Sequence, residues 1–191
     1  MGWIYSIITL LVGIANYFVA DEKLIVERSS LQKSTTPWDF FLALTVAMFG
    51  PLIVLIVAAL DFRFDRQFYF PLPVKLVAIA LLIAGAGIAI WAMRENKYFS
   101  ATVRIQEERN HLVVETGPYA YVRHPGYTGA ILGHIAVPFI LDSLNALFAT
   151  VILLTAIIFR TYLEDDFLKK NLEGYKEYSS KVKHLLFWLL W

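Results

Sequence analysis

Between Gln106 and Tyr127 the chain gathers polar and aromatic groups, flanked on both sides by strongly apolar segments. The densest part reads Thr116-Gly117-Pro118-Tyr119-Ala120-Tyr121-Val122-Arg123-His124-Pro125-Gly126-Tyr127. Gly117-Pro118 predicts a turn. Pro125 suits a first helical turn and disrupts a later one, so the pattern predicts a helix beginning there with His124 as its cap. The N–H groups of such a turn lack internal partners and face whatever lies beyond the cap, which favours a negatively charged group. A tyrosine-rich membrane anchor with a snorkelling arginine would use the same residues. A ligand site is the sharper reading of a guanidinium, an imidazole and three aromatic rings crowded at one helix start.

Two further sets of residues converge on this stretch. Arg160 and Glu164 are spaced i, i+4 and share one helix face. A charge at the bilayer boundary is costly unless it snorkels, pairs or contacts a ligand, and the plain alternative is an arginine paired to its own neighbour. Asp165 and Asp166 are expected to be solvated, and Tyr175 and Tyr178 to face the membrane interface. Gly129 and Gly133 have the small-xxx-small spacing that admits either a neighbouring helix or a flat ligand to a backbone. Other chemistries fall away. With no cysteine there is no disulfide, thiolate metal site or cysteine nucleophile. Histidines 111, 124, 134 and 184 lack metal-ligand spacing, and no dinucleotide loop, phosphate loop or nucleophile-elbow serine occurs. Neither a metal nor nucleic acid is expected.

The elements that must hold these residues are membrane helices. The chain has 191 residues, 58% hydrophobic and 17% charged, with mean hydropathy +0.58, well outside the range of soluble domains. Apolar runs predict spans at about 3–19, 40–60 and 74–93, the second kinked at Gly50-Pro51 and the third carrying Gly85-Ala86-Gly87. Thr36-Pro37-Trp38-Asp39 reads as a helix start with a hydroxyl cap and an acid in the first turn. Residues 101–106 and 111–114 flank Glu107 to Asn110 like a short hairpin. Residues 126–141, a little short and containing Pro138, and 146–163 form a helical hairpin. An amphipathic helix from Glu164 to about Lys183 and an interfacial run from Leu185 to Trp191 complete the chain.

The expectation is an all-α integral membrane protein of about five transmembrane helices in one structural domain. Residues 1–93 form a three-span region and 94–191 a core built from the 94–127 loop, the last helical hairpin and the C-terminal helix. Three basic residues fall on one side of the membrane and fourteen on the other, so the loop and tail are expected to be cytoplasmic and the N-terminus outside.

The joint pattern of His111-Leu112-Val113, Thr116-Gly117-Pro118-Tyr119, Arg123-His124-Pro125-Gly126-Tyr127, Arg160, Glu164-Asp165 and Tyr175-Lys176-Glu177-Tyr178 resembles the isoprenylcysteine carboxyl methyltransferase family. The Arg-His-Pro-x-Tyr core and the acidic pair are shared with the related phospholipid methyltransferases, and Asp165 stands where a second Glu is usual. The resemblance implies that S-adenosyl-L-methionine contacts Gln106, His111, Leu112, Val113, Val114, Tyr119, His124, Pro125, Gly126, Tyr127 and Glu164. It places Arg160 at the methyl acceptor, an amphiphilic or lipid-like molecule from the bilayer. An amine acceptor would need deprotonation, for which His124 and Glu164 are the candidates, so Arg160, His124 and Glu164 are the catalytic candidates. Isoprenylcysteine-type carboxyl methylation is the first expectation and lipid N- or O-methylation the second. A sterol-type NADPH reductase and a non-enzymatic membrane scaffold are the readings from other classes.

Overall fold

The computed structural model describes residues 2–19 and 36–187. The charged segment Asp21 to Lys33 lies outside them, as does the end of the run from Leu185 to Trp191. The helices are α1 (Gly2–Val19), α2 (Pro37–Leu44), α3 (Gly50–Arg63), α4 (Leu72–Glu95), α5 (Pro125–Ile140), α6 (Leu144–Asn171) and α7 (Tyr175–Lys181). Among the described residues four helical stretches are long and apolar enough to cross a membrane: Gly2–Val19, Trp38–Arg63, Leu72–Glu95 and Leu144–Asn171. The fifth expected crossing, α5, has 16 residues and so reaches only about 24 Å.

The regular helix of the second span is interrupted slightly before the expected kink. Pro51 has no N–H for the carbonyl of Ala47 and its ring crowds that turn, so the preceding turn widens. Thr45–Phe49 forms a single π-turn in which the Gly50 N–H reaches the Thr45 carbonyl, five residues back. Thr36 precedes α2 without a side-chain capping bond, so the expected hydroxyl cap is not formed.

The bundle is held by α4 packed along α5, α3 along α6, and α5 against α6. Gly85 and Gly129 make the first contact possible. A Cβ on Gly85 would lie 2.5 Å from the Gly129 carbonyl oxygen and 2.9 Å from the Gly133 nitrogen, and one on Gly129 would meet the Gly85 carbonyl. The backbones therefore touch. Val54, Ala58, Ile131, Leu153 and Ile157 fill the space between α3, α5 and α6. At the end of the bundle away from the loop, Ser143 Oγ and Asn145 Nδ2 donate to the buried Asp61 at 2.5 and 2.8 Å, and Lys75 pairs with Asp142 at 2.5 Å.

Three expectations change at the chain's C-terminal side. No separate helix starts at Glu164, because α6 runs unbroken from Leu144 to Asn171. The break falls at Gly174, whose φ of +80° suits a residue without a Cβ. Leu185 and Leu186 are buried in the core rather than interfacial, because the strap after α7 folds back on the start of α5. There the Arg123 and His124 N–H groups donate to the carbonyls of His184 and Leu185, both at 3.0 Å. The hairpin expected around Glu107 is also not formed. Residues 107–109 make one 3₁₀ turn ending at Asn110 with φ +49°, and neither flank is a strand.

Candidate active site

Where the loop meets the ends of α4, α5 and α6, the structure encloses a cavity of about 480 Å³. Ten of the twelve residues singled out above line it: His111, Leu112, Val113, Val114, Tyr119, His124, Gly126, Tyr127, Arg160 and Glu164. Gln106 and Pro125 stand behind the wall. Gln106 is fully buried and fastens the loop: its Nε2 donates to the Tyr98 carbonyl at 2.8 Å and its Oε1 accepts from Arg109 at 2.8 Å. Pro125 starts α5 as expected.

The imidazole of His111 stacks on Tyr98 at 4.4 Å, and its Nδ1 accepts the Gln106 N–H at 3.3 Å. Burial, and then the nearby Arg104 and Arg109, push its pKa down to about 4, so it is neutral near pH 7. Tyr119 sits deeper, with Asn96 donating to its hydroxyl at 3.2 Å, and burial pushes its ionisation well up.

Two charged clusters flank α5. In the first, Arg123 grips Asp165 with Nε and Nη2 at 2.8 and 3.2 Å and gives Nη1 to the Val182 and Lys183 carbonyls at 2.8 and 2.9 Å. Tyr175 donates to the same carboxylate at 3.0 Å, Lys169 pairs with it at 2.6 Å, and His124 Nε2 lies 3.4 Å away. Asp165 is thus buried and saturated, not solvated. Tyr175 and Tyr178 are buried as well, not interfacial, because α7 folds under the cavity and Tyr178 donates to the Tyr119 carbonyl at 2.7 Å. Burial, and then Asp165, push the Tyr175 hydroxyl far above its usual range, so it stays a donor.

In the second cluster Tyr127 donates to Glu164 Oε2 at 2.7 Å, leaving Oε1 without a partner among the described residues. Arg160 lies over the Tyr127 ring at 5.6 Å, yet its partner is not Glu164. Its Nε donates to Asp39 at 2.9 Å and its Nη2 to the Ala101 carbonyl at 2.8 Å. As a first-turn acid Asp39 suits the helix dipole, and no local signal tells that role from a carboxylate aimed inward at a residue 121 positions away. Ala89, Met93, Val46, Ala47, Pro51 and Ala130 make the wall within the bundle apolar.

An apolar-walled cavity at the end of a membrane bundle, with one open carboxylate oxygen and a guanidinium held beside it, suits an amphiphilic substrate and a charged reacting group. The chain belongs to the phospholipid methyltransferase family, whose model matches residues 74–174, just over half of the chain and all of the cavity's loop. It is thus a multi-pass membrane methyltransferase. Similar proteins include two from rice, Oryza sativa subsp. indica and subsp. japonica, each named "probable protein-S-isoprenylcysteine O-methyltransferase". Each is 28% identical over 147 residues, covering 75% of this chain and 73% of its own length.

Proposed function

We propose that the cavity binds S-adenosyl-L-methionine and methylates an amphiphilic acceptor that enters from the bilayer. Carboxyl O-methylation of an isoprenylcysteine-like molecule is the first reading. The observation that carries it is the convergence of Glu164, Tyr127, Arg160 and the 111–114 segment on one cavity. The groups present fit the donor: Glu164 Oε1 is open to an ammonium or hydroxyl, the Tyr127 ring offers a π-face to a cation, and a helix N-terminus lies beside them. Tyr127 and Thr128 give their N–H groups to the His124 carbonyl and Pro125 has none, so Gly126 supplies the first-turn donor for a carboxylate.

Bound there, the cofactor would supply a methyl group on a sulfonium. Moving it to a carboxylate removes one charge of each sign, and an apolar, water-poor site favours such a step. The chain's residues then have three tasks. Glu164 and Gly126 hold the donor, Arg160 aligns the acceptor oxygen, and the apolar wall takes the lipid-like tail and excludes water. A carboxylate needs no base, so His124 serves as a fixed neighbour of Asp165 and Tyr175.

A lipid amine is the second reading, favoured by the open oxygen of Glu164, which attracts an ammonium as readily as a sulfonium. A dinucleotide phosphate would need unengaged cations, whereas Arg123 and Arg160 are already bonded to carboxylates. Calorimetry on detergent-solubilised protein with S-adenosylhomocysteine and NADPH in parallel decides between a methyl donor and a dinucleotide. Binding of S-adenosylhomocysteine alone is expected. Binding of NADPH alone, or of neither, would end the methyl-transfer reading.

A further inference from the structure

We infer that Asp39 is the positioning residue for Arg160, fixing which edge of the guanidinium meets the methyl acceptor and how much positive charge that acceptor feels. The inference rests on the methyl-transfer reading above. Asp39 lies in the first turn of α2, outside the stretch matched to the family, and its exposure is 0%. Its two oxygens are both engaged: Oδ1 accepts the Arg160 Nε–H at 2.9 Å and Oδ2 accepts the Val103 N–H at 2.6 Å. Arg160 in turn holds the Ala101 carbonyl. One buried ion pair therefore joins α2, α6 and the loop at residues 101–103, which form one wall of the cavity.

Two consequences follow from those bonds. With Nε and Nη2 held, the guanidinium plane is fixed over the Tyr127 ring, and Nη1 alone keeps both N–H groups without a partner among the described residues. The acceptor is therefore met by Nη1, in one orientation. The second consequence is electrostatic. Around Arg160 stand two carboxylates, Asp39 and Glu164, so the trio carries one net negative charge that a bound sulfonium would balance. An anionic acceptor then meets a guanidinium already neutralised by its partner. Arg160 aligns it without holding it tightly, which favours turnover over ground-state affinity.

The test uses the full chain in lipid nanodiscs, with S-adenosylmethionine and an S-farnesyl cysteine derivative as anionic acceptor. Asp39→Asn should retain S-adenosylhomocysteine binding and lose roughly 10- to 100-fold in kcat, the scale of a misaligned reactant. Its KM for the acceptor should stay level or fall, because Arg160 is no longer neutralised. Added to Arg160→Ala, the same change should cost nothing further in kcat. A steady kcat, a rising KM, or a full second loss on top of Arg160→Ala would each overturn the inference. A wild-type protein that binds S-adenosylhomocysteine but never turns over this acceptor would fault the acceptor assignment instead. The pair itself is read in the ¹⁵N-arginine-labelled wild type, whether or not Asp39→Asn folds. The Arg160 Nε–H, assigned by its loss in Arg160→Lys, should exchange with water far more slowly than that of exposed Arg66. Equal exchange rates would mean that Asp39 does not hold it.

Discussion

Glu164 and Asp165 are neighbours in sequence, but one helical step of about 100° puts them in opposite circumstances. Asp165 receives Arg123, Tyr175 and Lys169, whereas among the described residues Glu164 receives only the Tyr127 hydroxyl. The same substitution should therefore act on different observables. Glu164→Gln is expected to leave the thermal transition in place and to weaken S-adenosylhomocysteine binding by about 1.5–3 kcal/mol, or roughly 10- to 100-fold by calorimetry. Asp165→Asn strands the buried Arg123 and should lower stability by roughly 3–5 kcal/mol in a detergent unfolding assay. His111 offers a pH test. Its folded pKa of about 4 lies below the usual 6.5, so its contribution to stability is complete above pH 6.5 and is lost as pH falls toward 4. Its NMR resonance should stay flat through pH 6 and shift only as pH approaches 4; a midpoint near 6.5 would mean that the fold does not hold the ring neutral. At this scale ten of the twelve residues that the resemblance pointed to line one cavity, and the Arg-His-Pro-x-Tyr run was legible because it is a local pattern. It missed Asp39 and Asp165 because what buries a carboxylate is a partner from a distant segment.

Among the elements, α4 and α5 depend on the absence of two side chains. The spacing of Gly85, Gly129 and Gly133 was legible as a close-packing signal, although which glycine met which was not. Gly129→Val would push its side chain into the Gly85 carbonyl and the Ala89 backbone, and overpacking of this kind costs roughly 1–3 kcal/mol. Gly133→Ala, whose Cβ would meet only Leu82 at 3.8 Å, should be close to neutral in the same unfolding assay. Equal losses at both sites would mean that the backbone contact is not what holds these helices. The expected hairpin failed for a different reason. Alternation over four to six residues cannot tell a strand from a loop whose alternate residues pack against tyrosines, as Val113 and Ile105 do here.

Over the whole molecule, contacts cross the division at residue 93 repeatedly, through Asp39–Arg160, Gly85–Gly129 and Asp61–Ser143. The apolar spans were legible because bilayer thickness dictates their length. The way they enclose a cavity was not, since that depends on which residues meet across the bundle. We propose the orientation from charge alone: the sequence expectation assigns fourteen basic residues to the loop's side and three to the other. The chain has no native thiol, so single cysteines at the exposed positions Glu107 and Tyr69 report cleanly. An impermeant thiol reagent added to intact cells should label a cysteine at 69 and spare one at 107. The reverse pattern would invert the topology.

The strap after α7 has a consequence for how the protein is made. Val182 to Leu186 supply carbonyls to the Arg123 side chain, to the Arg123 and His124 N–H groups, and to the Thr128 hydroxyl. Synthesis from the N-terminus makes the four membrane-length helices before residues 182–186. Until then the start of α5 lacks its strap, and Arg123 lacks two of its acceptors. The strap is thus made after all four membrane-length helices, and its carbonyls complete the hydrogen bonds that position Arg123, His124 and the start of α5.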